Sequence, residues 1–129
     1  MADLLVTDRL RRGSWGPARQ LLRTVGSIEL DRVSDVFALV PVGGDGDRPA
    51  VAAVCAPPID VAAELLALVT RPDRRGQGLG SRLLDGVADS LRAVGHERLV
   101  AADQAGDGIA WLLARGFRRS ATGTVELLL

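Results

Sequence analysis

The residues best suited to chemistry lie between Glu64 and Arg82. Gly76, Gly78 and Gly80 alternate there, with Arg74, Arg75 and Arg82 around them. Glycine has no Cβ, so its backbone can press close to a ligand and take conformations that other residues avoid. If a helix starts at this point, its first N–H groups and the positive end of its dipole face into the loop. Backbone donors, dipole and guanidinium charge together suit an anion, and a pyrophosphate in particular. Two well-known phosphate loops fail on spacing. The chain has no Gly-x-x-x-x-Gly-Lys-Ser/Thr, and Ser81 stands where a Gly-x-Gly-x-x-Gly loop needs glycine. Glu64 is a lone carboxylate in an apolar run, a residue type that can take a proton in general base catalysis. Cys55, the single thiol, reads as a small hydrophobe rather than a nucleophile.

Such a loop needs a strand before it and a helix after it. Leu65 to Val69 is an unbroken apolar run, and Glu64 to Thr70 reads as a strand that is apolar on both faces and therefore central. Leu79, Leu83, Leu84, Val87, Leu91 and Val94 recur at helical spacing, and Gly95 ends that helix. Upstream, Leu4 to Val6 is a short strand. Gly16-Pro17 opens a helix with Ala18, Leu21, Leu22 and Val25 on one face, stopped by Gly26. Ser34 to Val42 and Ala50 to Ala56 flank the polar turn Gly43 to Pro49 and read as a hairpin. Downstream come a strand at Arg98 to Ala102, a helix at Asp107 to Arg115 capped by Gly116 and Phe117, and a strand at Thr124 to Leu129. The pattern predicts an α/β chain with a central mixed β-sheet flanked by helices on both faces, in one domain over residues 1–129.

The composition narrows the function classes. Sixteen arginines and no lysine balance sixteen acidic residues, which gives no nucleic-acid footprint and no electrostatic membrane anchor. No apolar run reaches membrane-spanning length, the N-terminus lacks a signal-peptide pattern, and one cysteine excludes an internal disulfide. A cytoplasmic protein is expected. No His/Cys cluster implies a metal. Asp45 and Asp47 lie in the turn without a calcium-loop pattern. Trp15 and Trp111 read as packing residues, and His96 as a surface residue. Asp103 and Gln104 follow a strand at its C-terminal end, where open α/β sheets place ligands.

The stretch Arg75-Gly76-Gln77-Gly78-Leu79-Gly80, after a strand ending in Val69-x-x-Pro72, resembles the acyl-CoA loop of the GNAT superfamily of N-acetyltransferases. Ala63-Glu64 and Gly116-Phe117 stand at that family's spacing too, so the resemblance covers Ala63 to Phe117. It implies a GNAT fold, acetyl-CoA as co-substrate and no metal. It also implies an acceptor amine carried by a small molecule or peptide, and leaves a homodimer open. The pantetheine arm would pair with main-chain groups of Leu68, Val69 and Thr70, and the pyrophosphate with N–H groups along Arg75, Gly76, Gln77, Gly78, Leu79, Gly80 and Ser81. Glu64, eleven residues before Arg75, stands where histone-acetyltransferase-like members carry a general base. Two positions depart from the family. Leu112 stands where many members place a Tyr that protonates the leaving thiolate, and Ala105 where they place an Asn. These departures keep a second reading in play, a CoA-binding regulatory or interaction module without turnover.

Overall fold

The computed structural model describes residues 5–10, 20, 33–41, 49–56, 61–71, 76, 78–102, 107–120 and 123–129. Among the described residues, seven strands form one sheet: β1 (Leu5–Leu10), β2 (Asp35–Pro41), β3 (Ala50–Cys55), β4 (Ala62–Thr70), β5 (Arg98–Ala102), β6 (Arg118–Arg119) and β7 (Thr124–Leu128). Among the described residues, α1 (Leu79–Ala93) connects β4 to β5 and α2 (Asp107–Ala114) connects β5 to β6. The spatial order is β1-β2-β3-β4-β5-β7-β6. All neighbours are antiparallel except β4 and β5, so the sheet is mixed, as expected. β4 is central, which explains why it is apolar on both faces. The first strand is longer than its sequence pattern suggested, and β6 had no sequence signal at all. Two arginines carry no strand periodicity; β6 exists because β7 offers it a partner. The helix expected near Pro17 to Val25 lies outside the described residues, apart from helical Gln20.

Alternation along the strands sorts the core into two layers. Phe37, Leu39, Ala50, Ala52, Val54, Ala63 and Leu65 face α1 and α2. Val36, Ala38, Val51, Ala53, Ala67 and Val69 face the other way. α1 buries Leu79, Leu83, Leu84, Val87 and Leu91, each worth about 1.5–3 kcal/mol on full burial. Its outer face carries Arg82, Asp85, Asp89 and Arg92, all exposed. The Arg92–Asp89 ion pair at 2.8 Å sits there in water and adds little stability.

Both helices end in the same motif. In α1, Gly95 (φ 99°) donates its N–H to Arg92 O and His96 to Leu91 O. In α2, Gly116 (φ 103°) donates to Leu113 O and Phe117 to Leu112 O. The residue after the left-handed glycine in this motif commonly packs on the helix's apolar side. Phe117 is accordingly buried, as Gly116-Phe117 predicted. His96 holds the equivalent place and is 5% exposed, so the expectation of a surface histidine is corrected. Gly95-His96 carries the same capping signal as Gly116-Phe117.

Candidate functional site

The site is built on a change of partner halfway along β4. From Ala62 to Leu65 the strand pairs with β5 in parallel, and at Glu64 and Leu65 it pairs with β3 antiparallel as well. The register to β3 then shifts between Ala53 and Val54: Ala53 stands opposite Ala67, whereas Val54 stands opposite Leu65. Leu66 is the extra residue. An extra residue bends a strand and increases its local twist. Beyond it, β4 stays with β3 as far as Thr70, while the ladder to β5 ends at the Leu65–Ala101 pair. Among the described residues, no strand covers the β5 side of Leu66 to Thr70. The burial pattern carries the same break: Leu65 and Leu68 pack on the helix side of the sheet, and Leu66 and Ala67 both pack on the other.

The phase of the ladder says which backbone groups face the gap. Arg71 N–H donates to Pro49 O at 2.8 Å. Hydrogen-bonded and non-bonded positions alternate along an antiparallel pair, so Val69 and Ala67 also turn their N–H and C=O toward β3. Leu68 and Thr70 turn theirs into the gap. Of the three residues named for the pantetheine arm, Leu68 and Thr70 therefore face the opening and Val69 faces β3. An N–H and a C=O at each of two alternate positions form a strand edge that an extended amide-bearing chain can join.

The glycine loop lies at the end of that edge. Gly76 (φ 83°) and Gly78 (φ 74°) are both left-handed, and a Cβ built on either meets nothing within 4 Å. They are glycines for conformation, and the space beside them is open. Gly78 caps α1; no side chain bonds the helix start, and its first turn has no acidic residue. The first bond back to the cap is Arg82 N–H to Gly78 O at 3.1 Å, so the N–H groups of Leu79, Gly80 and Ser81 precede the intrahelical ladder and lie at the positive end of the dipole. Gly80 has a different reason. A Cβ there would lie 3.2 Å from Trp111 Cζ2, 3.6 Å from Leu68 Cδ2 and 3.6 Å from Thr70 Oγ1. Side-chain bulk from α2 and β4 converges on it. The Leu79 side chain is buried in the core, Ser81 is partly buried and Arg82 exposed. Arg74, Arg75 and Gln77 lie outside the described residues.

Glu64 is partly buried on the paired half of β4, directly opposite Cys55 on β3 and Val100 on β5. Directly opposed residues bring their Cβ atoms to about 4.5–5.5 Å, so Cys55 and Glu64 are neighbours on one face of the sheet. Cys55 is a free, partly buried thiol. Leu112, at the position of the family's Tyr, is buried in the core beneath α2 and has no proton to give. Trp111 packs against the same core, as expected. Trp15, Asp45, Asp47, Asp103, Gln104 and Ala105 lie outside the described residues. Among the described residues no group of three His, Cys, Asp or Glu could hold a metal, and no helix is long and apolar enough to cross a membrane. Sequence reasoning missed the extra residue at Leu66, because an unbroken apolar run gives no sign of a change of face. It also missed the placement of Trp111 against the loop, although Gly80 within a helix was a usable hint of close packing.

The comparisons fit this geometry. The family model described as the acetyltransferase (GNAT) family matches residues 8–119. No curated protein matches the chain. Among solved structures, N-acetylglutamate synthase from Neisseria gonorrhoeae, in complex with coenzyme A and L-arginine, is 21% identical with a TM-score of 0.78; the match covers 99% of this chain and 34% of that one. This chain thus spans about a third of the synthase. The GNAT family N-acetyltransferase YhbS from Escherichia coli, in complex with CoA, is 18% identical with a TM-score of 0.73, covering 99% and 83%. The ribosomal-protein-S18-alanine N-acetyltransferase of Escherichia coli is 20% identical with a TM-score of 0.67, covering 98% and 93%. At such identities the likeness is one of fold. The family model, which spans most of the sequence, goes further: this chain belongs to the GNAT acetyltransferase family.

Proposed function

We propose that this protein, acting as one domain, is an acetyl-CoA-dependent N-acetyltransferase that transfers an acetyl group to the amine of a small molecule or peptide. The observation that carries the reading is the exposed edge of β4 running into a left-handed glycine loop and an uncapped helix start. An extended pantetheine amide chain fits the Leu68 and Thr70 edge, and a pyrophosphate fits the loop and the N–H groups from Gly76 through Ser81. Acetyl-CoA, when bound, supplies an activated acyl carbon. The main-chain edge of β4 aligns that carbon, and a gap-facing main-chain N–H next to Val69 is suited to hold the developing oxyanion. Glu64 accepts the proton from the attacking amine, directly or through a water. The new N–C bond forms as the C–S bond breaks. The thiolate takes its proton from water or from the acceptor, since Leu112 offers none.

Leu112 also favours a second reading, a CoA-binding module without turnover. One experiment separates the two. Acetyl-CoA binding is measured by calorimetry, and release of the CoA thiol is followed with a library of small-molecule and peptide amines. Binding with steady thiol release supports the transferase; binding with none across the library supports the module; no binding overturns both.

A further inference from the structure

Trp111 takes no part in the mechanism above, yet it is placed where that mechanism needs a wall. It belongs to α2, the helix that follows β5, but its indole reaches Gly80 at the start of α1, which side chains of the upper half of β4 also approach. Its Cζ2 lies 3.2 Å from the point where a Gly80 Cβ would stand, and Leu68 Cδ2 and Thr70 Oγ1 lie 3.6 Å from that same point. Leu68 and Thr70 are the two residues whose backbone faces the gap. Trp111 is only partly buried, and Arg115, one helical turn on, holds its guanidinium over the ring at 5.4 Å from the centroid, a distance at which the ring face attracts a cation. The indole thus has Gly80 beside its edge and Arg115 over its face.

We infer that Trp111 is a positioning residue for the acyl-CoA: its indole spans the divergence of β4 and β5 and forms the floor along which the pantetheine arm lies. This rests on the proposed acetyl-CoA site. It also gives Gly80 a separate role from Gly76 and Gly78. Those two glycines leave room and conformation for the anion, whereas Gly80 leaves room for Trp111. A large planar side chain loses little entropy on being fixed and offers a broad apolar face to a ligand's methylene and amide groups. At this position it also keeps water from the strand edge, which strengthens the hydrogen bonds made there.

Two measurements test this. In a Trp15→Phe variant, Trp111 is the only tryptophan, and its emission should shift to shorter wavelength on titration with CoA, along the same isotherm as calorimetry. Calorimetry on four chains gives the second. Trp111→Ala should weaken acetyl-CoA binding by roughly tenfold and raise the acetyl-CoA KM more than it lowers kcat, while Trp111→Phe stays near the parent. Gly80→Ala should also weaken binding, and Gly80→Ala/Trp111→Phe should recover it, because the shorter ring withdraws from the added methyl. If CoA binds by calorimetry but Trp111 emission does not change, or the double variant is as weak as Gly80→Ala, Trp111 is core packing and the inference fails while the proposed function stands. If CoA does not bind at all, both fail.

Discussion

Both halves of β4 are mostly apolar, but they are paired differently. Ala62 to Leu65 is held by β5, and Glu64 and Leu65 are held by β3 as well. Among the described residues, Ala67 to Thr70 is held by β3 alone, and the backbone of Leu68 and Thr70 is left to the gap. The paired half can fix the Glu64 side chain, because at Glu64 the strand has a neighbour on each side. The half-paired stretch can bind through its main chain, because its gap side does not. A single extra residue, Leu66, separates them. In this reading, the lower half supplies the base and the upper half the cofactor edge. Variants in the lower half should move turnover, and variants in the upper half or its loop should move acetyl-CoA affinity.

The largest effect is expected in the lower half. Glu64→Gln keeps the shape and removes the base, so kcat should fall by roughly 10²–10⁴ with acetyl-CoA affinity nearly unchanged by calorimetry. Near-normal turnover would assign the proton to water or to Asp103 and dissolve the division of labour. Next is the loop. Gly78→Val puts a β-branched residue at φ 74°, where even an unbranched L-residue pays about 1–2 kcal/mol. CoA binding should be lost in a chain whose circular dichroism remains native; an unchanged affinity would remove the loop from the site.

A pair of proline variants tests the backbone phase directly. Thr70→Pro deletes an N–H that faces the gap, so acetyl-CoA affinity should drop by about 2–10-fold, the worth of one hydrogen bond, with little change in Tm. Thr70→Val keeps the N–H and should keep the affinity. Val69→Pro, one residue away, deletes a ladder donor to β3 in a buried strand and should lower Tm sharply. If Val69→Pro is tolerated and Thr70→Pro unfolds the chain, the phase drawn from the Arg71–Pro49 bond is inverted. The smallest effect concerns the neighbour of Glu64. Cys55→Ala should leave turnover within a few-fold, since the acyl group passes straight to the amine; a collapse in rate, with acylated Cys55 detected by mass spectrometry of the parent, would replace direct attack by a two-step transfer.

Local chemistry was enough to read much of this protein from its sequence. The left-handed glycines, the amphipathic face of α1, the cap at Gly116-Phe117 and the central, doubly apolar β4 all follow from residue type and spacing, because turn conformation and burial period are properties of short segments. Those segments also carried the family resemblance. Other features required strands to be placed side by side. β6 is a strand only because β7 is there to pair with it. His96 is buried because a capping turn folds it under α1. The division of β4 at Leu66 depends on register against β3 and on where the β5 ladder stops, and pairing of distant segments leaves no mark in an unbroken apolar run. Gly80 shows both sides of the limit: its sequence context called for a small residue beside an anion, and only the approach of α2 assigns that space to Trp111.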